Sequence, residues 1–238
     1  MLKNKTSIVD DRGYNQGFKE TYALLKRMER RAQWMVGLMQ PSPEKKVLEI
    51  GCGTGYVSFC IARDTGMKVT GSDLCVPFIE EAREKYRLPN LNFDTIDFNS
   101  QATDIGDQYE YIIGNGILHH LYHNLDAVFA SFRRILSPGG KIIFMEPNIY
   151  NPYVATIFKN ATFRKWAKLE PDEMAFSKSF ITKKLQASGF TGIDVQYRDF
   201  LLPGVPSYLV KPSIAIGNVL EKTPLRVISQ SILITAGI

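Results

Sequence analysis

The chain of 238 residues is 45% hydrophobic, 22% charged and 11% aromatic, with 18 glycines and 12 prolines, a balance that excludes disordered, collagen-like and coiled-coil chains. Its length allows one large domain or two small ones, with a sizeable core in either case. The formal charge of +5 is too diffuse to specify nucleic acid, and no dense basic and aromatic stripe accompanies it.

In chain order, Gly17 to Gln40 is predicted to be a helix rich in Lys, Arg and Met that ends before Pro41-Ser42-Pro43, an appendage packed on or closing over the main fold. From Lys46 short apolar runs alternate with segments of helical period, the signature of a parallel sheet covered by helices. Strands are expected at Val47 to Ile50, Lys68 to Gly71, Leu91 to Thr95, Tyr111 to Gly114 and Lys141 to Glu146. Between the last two, Leu125, Val128, Phe129, Phe132, Ile135 and Leu136 recur at helical spacing, with Asn124 as N-cap and Ser137-Pro138-Gly139-Gly140 as the stop. Tyr150 to Ser177 reads as an insertion with its own short helix, carrying Phe158, Phe163 and Trp166 beside Lys159, Arg164, Lys165 and Lys168. Such a segment is a solvated helix with one apolar face, or a lid, or a contact with a membrane surface. The pattern then resumes with a helix at Phe180 to Ser188, a strand at Thr191 to Phe200, a helix over Ile214 to Leu220 and a closing strand at Ser229 to Ala236.

Three cysteines, Cys52, Cys60 and Cys75, show neither a Cys-x-x-Cys pair nor histidines at ligand spacing. Neither disulfides nor a metal centre is expected, and a reducing, cytoplasmic setting is. Met1 to Asp11 lacks the apolar core of a signal peptide. No run approaches the roughly 18 apolar residues of a membrane span.

The sharpest local feature is Val47-Leu48-Glu49-Ile50-Gly51-Cys52-Gly53-Thr54-Gly55, an apolar strand running into three alternating glycines and then a helix from Tyr56 to Arg63. Glycines there permit positive backbone angles and clear the side chains that would keep a ligand from the main chain. The spacing is not the GxGxxG of dinucleotide folds, and an acidic residue stands two positions before the first glycine. The second strand ends in Asp73, about 20 residues on, where nucleoside folds place a ribose-binding carboxylate. Asp73 is also placed to cap the helix that begins at Val76.

This stretch resembles motif I of the Rossmann-like S-adenosylmethionine-dependent methyltransferases, in their small-molecule group. The resemblance runs in order from Val47 to Glu146 and more weakly through Ser188-Gly189-Phe190 to the end. It implies a single α/β domain with a seven-stranded, mostly parallel sheet, helices on both faces and an antiparallel last strand. Residues 1–43 are then a helical appendage, 44–148 the cofactor core and 149–238 the acceptor side. Cofactor contacts are implied at Glu49, Gly51, Cys52, Gly53, Gly55, Asp73 and Leu74. Asp97, preferred over the nearby Asp94 and Asp104, and Phe98 are implied for the adenine. Asn115 and Gly116 follow in the motif that runs past the cofactor toward the acceptor, and Tyr14 stands where some relatives cover its methionine end. Glu110 precedes the fourth strand and a histidine follows it, as in many members.

All three histidines, His119, His120 and His123, fall in that segment. If the acceptor is a hydroxyl or an acidic carbon, a proton must leave, and histidine is the natural base. His120 is preferred, His119 is the second candidate, and His123 reads as a helix-start residue. Adjacent residues of a helix or strand cannot both face one cleft, so one of the pair is expected to be packing or surface. The missing Asn-Pro-Pro-Tyr or Asp-Pro-Pro-Tyr after the fourth strand argues against amino groups of adenine or glutamine as acceptors. A small molecule, apolar or acidic and methylated at oxygen, nitrogen or carbon, is the expected partner. The alternatives are a nicotinamide-dependent oxidoreductase and a catalytically inert cofactor-binding protein. The first needs GxGxxG and a late Tyr-x-x-x-Lys, whereas Tyr22 to Lys26 precedes the core.

Overall fold

The sheet is built on the apolar run that leads into the glycines. In a computed structural model, which describes residues 20–98, 106, 108–166, 169 and 173–238, Lys46–Ile50 forms β1 and is flanked on both sides by parallel strands. The others are β2 (Lys68–Ser72), β3 (Leu91–Asp94), β4 (Tyr109–Asn115), β5 (Leu136–Pro147), β6 (Thr191–Arg198) and β7 (Ser231–Gly237), in the order β3-β2-β1-β4-β5-β7-β6. The last strand, β7, slots between β5 and β6 and runs antiparallel to both. The helices are α1 (Tyr22–Val36), α2 (Tyr56–Thr65), α3 (Val76–Lys85), α4 (Leu125–Ile135), α5 (Pro152–Lys159), α6 (Ala161–Trp166), α7 (Lys178–Ala187) and α8 (Ser207–Leu220).

The two-residue period of the strands sorts side chains between two cores. Leu48, Ile50, Ile142 and Phe144 meet Val128, Phe129 and Phe132 of α4 and Ile181 and Leu185 of α7. On the other face Val47, Ile113, Ile143 and Met145 meet Ala32 and Met35 of α1 and Val57, Cys60 and Ile61 of α2. The same alternation decides where two carboxylates go. Glu49 shares the face of Val47 and meets Ser58 of α2, whereas Glu146 shares the face of Phe144 and lies under the turn that follows β4.

Local details differ from the sequence reading in three places. β5 starts at Leu136, directly after α4, because Leu136 pairs with Tyr109 before a register shift, so Ser137-Pro138-Gly139-Gly140 belongs to the strand. Asn124 stands at the N-cap position of α4 but makes no side-chain cap bond, since a 3-10 turn, Tyr122–Asn124, leads straight into the helix. The N-cap of α3 is Cys75, not Asp73. Asp73 instead accepts the Cys75 N–H at 2.9 Å through one oxygen and the Gly53 N–H at 2.8 Å through the other.

Candidate active site

The site forms where the carboxyl ends of β1, β2 and β4 meet, the crevice at which the strand order reverses and where open α/β sheets bind ligands. Gly51, Gly53 and Gly55 all have positive φ, of 62°, 52° and 82°. Two of them are also fixed by packing: a Cβ on Gly55 would stand 2.5 Å from the Phe93 ring, and one on Gly51 2.6 Å from Ile117. Gly53 has nothing within 4 Å of that position, so its bare backbone faces open space.

A cavity of about 630 Å³ opens over this loop, within the range of small-molecule sites. Glu49, Gly51, Cys52, Gly53, Asp73 and Leu74 line one end. Burial pushes the Glu49 carboxyl up to about 8, against the hydrogen bond from Ser58 and with help from the nearby Asp73 charge. Burial also raises Asp73, an effect opposed by the backbone N–H groups of Cys75, Gly53 and Leu74. The Cys52 thiol is driven well above its ordinary value by burial, which leaves it neutral and unreactive. Gly55, Asp97 and Phe98 do not line the cavity. Gly55 is occupied by the packing on Phe93, and Phe98 is buried with its ring edge-on to Phe132. Tyr14, Asp104 and Lys168 lie outside the described residues.

The opposite end is walled by the turn after β4. Gly116 takes φ 74°, and the chain closes a turn through His120 N–H to Ile117 O and Leu121 N–H to Leu118 O. Because this is neither strand nor helix, His119 and His120 both reach the cavity, with ring centroids 4.2 Å apart. Beneath them lies Glu146, fully buried. Its Oε1 accepts the Ile117 and Leu118 N–H groups at 3.0 and 2.8 Å, and its Oε2 accepts the His119 N–H at 3.3 Å and bonds His119 Nδ1 at 2.9 Å. The Nδ1 edge of the His119 ring is thus turned to Glu146 and the Nε2 edge away from it. At 3.8 Å from Nε2 is Oε2 of Glu173, whose other oxygen lies 3.2 Å from His120 Nδ1. Met174 N–H to His119 O anchors this acidic segment to the turn.

The roof comes from α1 and the insertion. Arg31 sits on the buried face of its helix, where it donates to Asn115 Oδ1 at 2.7 Å, Ser231 Oγ at 2.5 Å and Asp199 Oδ2 at 2.8 Å. Arg27 donates to the same Asp199 oxygen. Burial brings the Arg31 guanidinium down to about 10. Burial also works against a charge on Asp199, but the two guanidiniums outweigh it and hold that carboxyl below its ordinary value. From α5 come Tyr153, Val154, Ile157 and Phe158. Phe158 is buried with its ring edge-on to His119.

Arg27, Arg31, Glu173 and Ser231 escaped the sequence reading. Arg31 leaves one trace: it falls four residues before Met35 on the apolar stripe of α1, a charge where the period asks for a hydrophobe. Glu110, by contrast, is a structural tie, accepting from Lys46 N–H and Ser137 Oγ.

Fold and crevice together define a Rossmann-like domain with a ligand crevice at the carboxyl ends of its strands. Residues 47–140 match the family described as methyltransferase domain. The highly reducing polyketide synthase 40 of Fusarium mangiferae is 27% identical over 183 residues, 72% of this chain and 7% of that protein. A demethylmenaquinone methyltransferase of Chlorobaculum parvum is 31% identical over 116 residues, 48% of this chain and 46% of that one. Among solved structures, a SAM dependent methyltransferase from Archaeoglobus fulgidus matches with a TM-score of 0.66 at 16% identity, covering 96% of this chain and 99% of the other. The chain thus spans less than half the length of either curated relative. Residues 47–140 thus match a methyltransferase domain, and the whole chain shares the fold of the solved methyltransferase structure.

Proposed function

We propose that this enzyme methylates a small molecule at an acidic carbon beside a carbonyl, with His119 as the base that removes the proton. The supporting observation is the His119–Glu146 pair on the cavity wall. A neutral amine attacks through a lone pair it already has, whereas a carbon acid must be deprotonated first, so a buried, oriented imidazole favours carbon. The names of the relatives agree, since polyketide chains and quinols both offer carbons activated by neighbouring oxygen functions. His119 takes precedence over the more exposed His120 because Glu146 fixes its tautomer and aims the free nitrogen. His120 and Glu173 form a second pair beside it and help to receive the proton.

The residues at the other end fit the donor. Gly53 leaves open space on the side where a Cβ would stand, Asp73 is a half-buried carboxylate just past the strand edge where ribose hydroxyls are met, and Glu49 supplies negative charge next to a cation. Leu74, Asn115 and Gly116 complete the wall. When bound, S-adenosylmethionine supplies an electrophilic methyl group on a sulfonium. Arg27 and Arg31 fasten α1 over the cavity, and the apolar α5 wall excludes water. Three buried cysteine thiols, Cys52, Cys60 and Cys75, support a reducing, cytoplasmic setting. The test is methyl transfer from labelled donor to a 3-oxoacyl thioester, a quinol and an amine. Label on the carbon acids and none on the amine is expected. Label on the amine alone overturns the proposal.

A further inference from the structure

Helix α8 has the wrong outer face for water. Its buried stripe is narrow, Val210 and Gly217 with Ile214 beside them, and Gly217 lets it lie close on Phe200. The opposite stripe, Tyr208, Pro212, Ala215 and Val219 at helical spacing with Ile216 beside it, is also apolar. Tyr208, Ile216 and Val219 are 76%, 61% and 63% exposed. A helix packed by one face normally presents polar side chains on the other. The apolar surface continues through the exposed Leu225, Val227 and Ile228 of the following turn. That turn is tied by Asn148 to the Val227 carbonyl and by Asn151 to the Ile228 carbonyl, which brings it to the exposed Tyr150 and Tyr153. Tyr153 lines the cavity, as does Pro203 just ahead of α8.

The charges on this face have one sign. Lys211, Lys222 and Arg226 are exposed, while Glu221, the only acidic residue between positions 201 and 228, turns inward to Arg198 Nη1 and the Asp199 N–H. Among the described residues no helix is long and apolar enough to cross a membrane. A short helix with exposed large apolar side chains and flanking cations lies in an anionic lipid interface. We infer that the α8 face with the 225–228 turn docks on the surface of an anionic membrane, with the mouth of the cavity at the edge of the docked face. Membrane contact is one of three sequence readings of the Tyr150 to Ser177 segment, and the inferred face is centred on α8 instead.

Vesicle binding is read without turnover, so this inference stands or falls apart from the methyl acceptor. The purified chain is sedimented with phosphatidylcholine vesicles with and without phosphatidylglycerol. Binding to the anionic vesicles, weakened by salt and by Lys222→Gln with Arg226→Gln, is expected. The Ile216→Glu, Val219→Glu double variant should lose it by about tenfold or more, with affinity for S-adenosylmethionine unchanged as the control for folding. Tyr208→Ser, a milder change, should lower binding by a smaller factor. Absence of wild-type binding overturns the inference, as does undiminished binding by both apolar variants. A wild-type dimer that the double variant turns into a monomer overturns it too, by assigning the face to a second copy.

Discussion

The two ends of the cavity are built by different means. The end proposed for the cofactor is made from backbone and strand edges within one short stretch, Glu49 to Leu74, where sequence order and spatial order coincide. The end proposed for the acceptor is assembled from side chains far apart in sequence: Arg27 and Arg31 on α1, His119 in the turn after β4, Glu146 on β5, Tyr153 and Phe158 on α5, Glu173 in the insertion and Ser231 on β7. One end is fixed by chain geometry, the other by long-range partnerships. Replacements should therefore act differently at the two ends, through loop conformation and donor affinity at the first and through turnover at the second.

The largest effect is expected from His119→Ala. Loss of a positioned base should lower turnover by about 10² to 10⁴, with affinity for S-adenosylmethionine, measured by calorimetry, left near the wild-type value. Equal losses in both would erase the distinction between the two ends. Next, Gly55→Ala should destabilise the fold by about 1–3 kcal/mol in denaturant titrations, because φ is 82° and Phe93 stands in the way. Gly53→Ala meets no neighbour and should cost less stability, while weakening donor binding more than its fold. An equal loss of stability in both would show that Gly53 serves the loop and not the ligand. Arg31→Met leaves Asp199 with Arg27 alone and should cost about 1–3 kcal/mol, read as a lower melting temperature and a raised KM for the acceptor.

A smaller and graded effect concerns pH. The folded Glu49 carboxyl, at about 8, lies above its ordinary value, so the folded chain binds more protons than the unfolded one between those two values. The stability this contributes is fully present below about pH 4 and is lost as pH rises through about 8. A cation at the site favours the charged form, so donor affinity should rise from about pH 6 to about pH 8 with release of a proton. Glu49→Gln should flatten both profiles. The smallest change should follow a chelator. Ligand atoms of His119, His120 and Glu173 lie within 4.8 Å of one another, a spacing that also suits a divalent cation. In the base reading zinc competes with the proton for His119 Nε2, so added zinc inhibits and chelator leaves the rate unchanged. Activity that disappears with chelator would give these groups to a metal.

The same contrast explains what the sequence disclosed. Strands β1 to β5, α4 and the glycine loop were legible because each follows from local periodicity or from backbone demands of consecutive residues. Even there, the roles of Gly55 and Phe98 depended on Phe93 and Phe132, distant contacts that spacing does not reveal. The rule that neighbouring residues face apart assumed a regular element, and the Gly116 turn removes that assumption for His119 and His120. Glu173 left no mark, because an acidic residue in a polar insertion looks the same whether it faces water or a histidine. The apolar outer stripe of α8 was hidden likewise, since an apolar run does not say which of its sides is covered.

Hydrogen exchange at the acceptor carbon tests the base most directly. With a 3-oxoacyl thioester in deuterated water and no methyl donor, the wild-type enzyme should accelerate exchange of the protons between the two carbonyl groups, and His119→Ala should reduce that acceleration by about 10² or more. Exchange that is absent with the wild type, or equally fast in the variant, would contradict the assignment of His119 and Glu146 as the deprotonating pair.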